Sequence, residues 1–182
     1  MVGEAATDAP RCPTADGRWR SLSTRRNDYW FARETDSVME YDHADPDRAG
    51  QLHHVELYAS DIDTSIDFWD WLLGDLGYEP KNEWDGGRSW INGPTYVVLV
   101  EAEADHRDHP FERGAPGLNH LAFHAASREQ VDELTEEVRE RDDARVLFED
   151  RHPYAGGYYA LYCEDPEGIK VDVVGPAAGT DD

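Results

Sequence analysis

The chain has almost no lysine. Lys81 and Lys170 are the only two in 182 residues, and arginine supplies the rest of the 17 Lys and Arg side chains. Against them stand 40 Asp and Glu, a formal net charge of −23. So acidic a surface repels phosphate backbones and anionic lipid, which excludes nucleic acid and membrane surfaces as partners. It also repels itself unless salt screens it, and the composition reads as that of a halophile. Cysteine is scarce too. Cys12 and Cys163 belong to no CxxC pair, which argues against a thiolate zinc site and fits a reducing cytoplasm. No apolar run approaches the roughly 20 residues that cross a bilayer. Residues 1–10 have neither the basic start nor the apolar stretch of a secretory signal, so a cytoplasmic protein is expected.

What is present is organised unevenly. Residues 1–50 mix Pro, Asp, Arg and Ala without periodicity and read as a poorly ordered extension. Tyr29, Trp30 and Phe31 form an aromatic cluster suited to docking on a domain, and Met39 is an alternative start. From Leu52 the pattern sharpens. His53-His54-Val55-Glu56-Leu57-Tyr58 alternates like a half-buried strand, with Val55, Leu57 and Ala59 on one face and His54, Glu56 and Tyr58 on the other. Residues 60–64 offer N-caps to a helix with Ile62, Ile66, Trp69, Leu73 and Leu76 on one side, closed by Gly77. Residues 84–91 and 95–101 read as strands about an Asn92-Gly93 turn.

The order then repeats. Residues 119–124 are a strand, and Ser127-Arg128-Glu129-Gln130 is a capping box for a helix carrying Val131, Leu134 and Val138. Residues 145–148, 158–163 and 169–174 are strands, the last two joined by the turn Asp165-Pro166-Glu167-Gly168. The layout predicts an α+β domain over residues 51–176. It has two βαβββ halves, 51–101 and 118–176, joined by the loop 102–118, with a tail at 177–182. Two curved sheets with helices outside would form a cup.

Strand alternation selects what points into that cup. Val55 and Leu57 pack on a helix, so His54 turns inward. Leu121 and Phe123 do the same for His120, and Ile169, Val171 and Val173 for Asp172. Glu101 ends the corresponding strand of the first half. The repeat thus offers two pairs, His54 with Glu101 and His120 with Asp172. Two imidazoles and one or two carboxylates suit a single divalent ion, iron, manganese, nickel or zinc. Such an ion would polarise adjacent oxygens of a small substrate. Glu101 is expected as fourth ligand and as the residue that discriminates chemistries. Four protein ligands favour lyase or isomerase reactions and three favour oxygen chemistry. His53 is expected to point away, His124 to support His120, and Tyr58 to serve as an aromatic platform. Near Gly156 and Gly157, His152 or one of Tyr154 and Tyr158 is a possible acid or base, with aromatic loop packing the preferred reading.

The run from His54 to Asp61, Phe68-Trp69 with Leu73-Gly74, the run from Leu118 to Phe123, and the run from Asp165 to Asp172 resemble the vicinal-oxygen-chelate superfamily. That superfamily includes glyoxalase I, extradiol dioxygenases, and fosfomycin- and bleomycin-resistance proteins. The resemblance implies paired βαβββ modules and a metal at the centre of the cup. It implies His54, His120 and Asp172 as ligands, with Glu101 only approximately on a ligand position. The family usually has Glu where this chain has Asp172. The resemblance also implies a homodimer, or a cup within one chain. The rival reading is a metal-free protein that binds a drug-like or aromatic molecule.

Overall fold

The computed structural model describes residues 46–178 and two short strands before them. The chain divides into two compact units, Met1–Asp47 and Arg48–Asp182. In the first unit, β1 (Arg11–Pro13) pairs antiparallel with β2 (Trp19–Ser21). Tyr29, Trp30, Phe31 and Met39 lie outside the described residues.

The second unit is built by two capped helices and the sheets they cover. Asp61 opens α1 (Ile62–Asp75), its Oδ1 accepting the Thr64 N–H at 3.2 Å. Leu76 caps the far end and Gly77 follows at φ +81°, where only glycine is unstrained. Phe68, Trp69, Leu72 and Leu73 are fully buried, so the buried face is wider than the expected stripe. Ser127 opens α2 (Arg128–Glu140), its Oγ accepting from Gln130 N at 3.1 Å. The Gln130 side chain reaches back one residue further than a capping box requires, to Ala126 N. Val131, Leu134 and Val138 fill the buried face of α2 as expected.

Each helix follows the first strand of a four-stranded sheet. In the first half β3 (His54–Ala59) runs parallel to β6 (Thr95–Glu101), which pairs antiparallel with β5 (Gly87–Asn92), and that with β4 (Glu79–Trp84). In the second, β7 (His120–His124) runs parallel to β10 (Lys170–Val174), which pairs with β9 (Ala160–Glu164), and that with β8 (Arg145–Val146). The two sheet orders, β3-β6-β5-β4 and β7-β10-β9-β8, are the same, which establishes the expected α+β repeat.

Two boundaries differ from expectation. Residues 84–91 are not one strand, because Asp85-Gly86 turns the chain between β4 and β5, with Gly86 at φ +81°. The strand expected at 145–148 stops at Val146, and Phe148 at φ +58° leads into a 3₁₀ turn, Glu149–Arg151.

The halves share one core. Leu57, Trp69, Leu73, Val97 and Leu99 of the first join Val131, Leu134, Leu161, Val171 and Val173 of the second in a single buried cluster. Polar bonds cross the same seam. Trp69 Nε1 donates to Asp165 Oδ2 at 3.1 Å, Trp71 Nε1 to Glu137 Oε2 at 2.5 Å, and Gln130 Nε2 to Asp75 Oδ1 at 2.7 Å. Both helices therefore cover the core-bearing faces of their sheets, as expected. β3 and β7 are edge strands, and His54, Glu56, Tyr58, His120, Ala122 and His124 on their other faces are exposed. Among the described residues no helix is long and apolar enough to cross a membrane.

Candidate metal site

Five residues of β7 decide the second half of the site. Phe123 turns inward, edge-on to Trp69 at 6.3 Å and to Tyr78 at 6.1 Å, while His120, Ala122 and His124 take the opposite face. Beside them on β10, Lys170 pairs with His120, Asp172 with Ala122 and Val174 with His124. Val171 and Val173 enter the core, so Asp172 stands on the His120 face. His120 Nε2 lies 3.7 Å from Asp172 Oδ2. The other ring nitrogen, Nδ1, is 2.7 Å from Asn119 Oδ1. An amide oxygen only accepts, so Nδ1 faces Asn119 as donor and Nε2 is the ring nitrogen that faces Asp172.

Asp172 is only 7% exposed. Its Oδ1 forms an ion pair with Lys170 Nζ but has no partner in hydrogen-bond geometry. A buried carboxylate with Oδ1 lacking a hydrogen-bond partner and Oδ2 facing an imidazole nitrogen fits part of the donor set of a divalent ion.

In the first half, His54 stacks on Tyr96, its partner across the parallel ladder, with centroids 4.7 Å apart and planes 7° from parallel. His53 does not turn away. Its Nδ1 is 2.8 Å from His54 Nδ1 and its ring meets Tyr96 edge-on at 5.1 Å. Alternation holds only inside a strand, and His53 precedes β3.

The ladders also place Glu101. His54 is opposite Tyr96, whereas Glu101 is opposite Ala59, five residues further along, about 17 Å at strand rise. Glu101 Oε1 instead meets Arg107 Nη1 at 2.8 Å. Asp172 pairs with the residue two after His120, and the residue paired two after His54 is Val98. The repeat equivalent of Asp172 is therefore a buried valine. Among the described residues no group of three or more His, Cys, Asp or Glu gathers within one chain, so His54 is not brought to the His120–Asp172 pair.

His124 is exposed on the His120 face. Tyr154 packs edge-on against Tyr159 at 5.5 Å, and the Tyr159 hydroxyl donates to Asp132 at 2.5 Å, which pushes the phenol up to about 12. Tyr158 is exposed, and burial holds the His152 imidazole below its ordinary range. Burial likewise raises the Cys163 thiol, which is free and inert there.

A cavity of about 490 Å³ opens at the carboxyl end of β3, lined by Tyr58, Glu103, His106, His109, Phe111 and Ile169 among others. Tyr58, the expected aromatic platform, is among the lining residues. The loop residues His106, His109 and Phe111 carry no periodicity that would have singled them out.

Residues 51–173 match the model of the Glyoxalase/Bleomycin resistance protein/Dioxygenase superfamily. The chain belongs to that superfamily. The uncharacterised protein YqjT of Bacillus subtilis (strain 168) is 47% identical over 128 residues, covering 69% of this chain and 99% of that one. A crystal structure from Bacillus halodurans, assigned to the glyoxalases, is 52% identical with a TM-score of 0.69, covering 72% of this chain and all of that one (100%). A glyoxalase/bleomycin resistance protein from Albidiferax ferrireducens T118 shares the fold at 22% identity and a TM-score of 0.56, over 69% of this chain and 98% of that one. The glyoxalase/bleomycin resistance/dioxygenase fold thus occupies the second unit of this chain.

Proposed function

We propose that this protein is a metal-dependent enzyme of glyoxalase or dioxygenase type. His54, His120 and Asp172 hold one divalent ion, and a small substrate with two adjacent oxygens binds there. The observation that carries the reading is the convergence of His120 Nε2 and Asp172 Oδ2, 3.7 Å apart on an exposed sheet face. Such an ion, when bound, supplies Lewis-acid polarisation of the substrate oxygens. Iron, manganese, nickel and zinc all accept this donor set.

The chain's own residues do the rest. Asn119 orients the His120 ring through Nδ1, and the small Ala122 stands beside Asp172. Tyr96 orients His54 by stacking. Glu101 stands outside the proposed set because of its register and its pairing with Arg107. Three ligands leave more open positions for substrate than four. His54 and the His120–Asp172 pair lie on exposed faces of edge strands, which supports a homodimer in which His54 of one chain completes the pair of the other.

The test is elemental analysis of protein purified in molar salt without chelator or affinity metal. About one ion per chain is expected. His120→Ala should abolish it with an unchanged far-ultraviolet circular dichroism spectrum, because an exposed strand histidine makes few core contacts. The Lys170–Asp172 ion pair favours a second reading, a metal-free binding protein. A parent that retains no metal in competition with a weak chelator would decide for it.

A further inference from the structure

Lysine is the rarest charge in this chain, and both copies sit on tyrosine rings beside the proposed ligands. Lys170 Nζ lies 5.1 Å from the Tyr162 ring centroid, and Tyr162 pairs with Asp172 across β9 and β10. Lys81 Nζ lies 5.1 Å from the Tyr96 ring centroid, and Tyr96 stacks on His54. The Lys170 side chain is 12% exposed, so its stem is held on the sheet. Nearby Arg145 and Arg113 are both turned onto Glu164.

We propose that Lys170 is the anion-binding residue of the site. It serves as counter-ion to Asp172 in the metal-free protein. It turns to a negatively charged substrate once Asp172 ligates a divalent ion. The inference rests on the metal reading above. Lys170 is the counter-ion of Asp172 Oδ1, so a divalent ion on that carboxylate takes over the charge that holds the ammonium. An ammonium beside a divalent ion on the same carboxylate is repelled, and its buried stem keeps it from bulk water. It therefore needs an oxyanion. A compact charge on a flexible stem makes that change of partner, where a guanidinium fork would stay clamped to the carboxylate. On a chain of charge −23, the site must supply local positive charge to a ligand of this kind. The substrate class is a small oxyanion that carries its charge beside its two chelating oxygens.

The experiment measures two affinities in full-length parent, Lys170→Gln and Lys170→Arg, in stabilising salt. The first is Mn(II), followed by loss of the free-ion electron paramagnetic resonance signal. The second is oxalate, followed by the change in the bound Mn(II) spectrum. Lys170→Gln should bind Mn(II) about tenfold tighter and oxalate about tenfold weaker, the scale of one charge within ~4–6 Å of a carboxylate. Lys170→Arg should bind both more weakly than the parent, because its guanidinium stays on the Asp172 carboxylate. If Lys170 merely supported the fold, Lys170→Gln would weaken both together. The proposal is overturned if Lys170→Gln binds Mn(II) no tighter than the parent, or if its oxalate affinity is unchanged. If neither parent nor Lys170→Gln binds Mn(II), the metal reading fails as well. If the parent binds and His120→Ala does not, while Lys170→Gln matches the parent, only the role of Lys170 is lost.

Discussion

Asp165 ties the second repeat to the first. Its carboxylate accepts Trp69 Nε1 at 3.1 Å, Glu167 N at 3.0 Å and Ile169 N at 2.7 Å. Burial pushes its pKa up to about 7 against the downward pull of those three donors. The folded chain therefore holds a proton there at pH values where the unfolded chain has released it. The Asp165 contribution is fully present below the unfolded value near 4 and declines as pH rises to about 7. Asp165→Asn should thus gain stability relative to the parent between those limits and stay level above, as read by urea unfolding at pH 5 and 8. Asp165→Ala strands two buried N–H groups and a half-buried one, and should lose about 3 kcal/mol at both. Single residues were legible where alternation applied. The face that His120 and Asp172 share could be read because each is flanked by apolar residues committed to the core. Glu101 misled because it was matched to the end of its strand, whereas the equivalence of Val98 and Asp172 follows from ladder register, which no spacing along one strand contains.

At the scale of elements, both helices could be read because capping and apolar stripes are local signals. β4 could not. Glu79–Trp84 is almost wholly exposed and has no apolar alternation, and only the Asp85-Gly86 turn announces it. Its hairpin depends on a small residue. A Cβ at Gly87 would stand 2.3 Å from Trp84 Cζ2. Gly87→Ala should turn the Trp84 ring outward and change the near-ultraviolet circular dichroism. The loss should be about 1 kcal/mol, the low end for overpacking, because the ring is already 40% exposed. Ser127→Ala removes the cap of α2 and should cost a similar ~1 kcal/mol in urea unfolding.

For the whole molecule, charge and assembly make separate predictions. With −23 formal charge, the melting temperature should fall as KCl drops from molar to millimolar, as the Debye length grows from about 3 Å. A melt that does not move with salt would remove the halophilic reading. If each metal site takes His54 from one chain and His120 with Asp172 from another, neither His54→Ala nor His120→Ala binds metal alone. Refolded together, they should recover roughly a quarter of the parental sites, since half of random dimers are mixed and one of two sites in each is intact. A cup closed within one chain recovers none. The paired halves were visible in the sequence as a repeated layout. They fuse through the apolar faces that strand alternation assigns to the helices.

That fusion has a consequence for how the protein can change over generations. Every inward position answers to both repeats at once, since a substitution at Trp69 or Val171 disturbs a core that neither half owns. Such positions are held in place by two sets of neighbours. On the edge strands β3 and β7 the opposite faces are exposed, so histidine or tyrosine can come and go there with small effects on folding. New chemistry can be tried along those two strands while the shared core keeps the molecule intact.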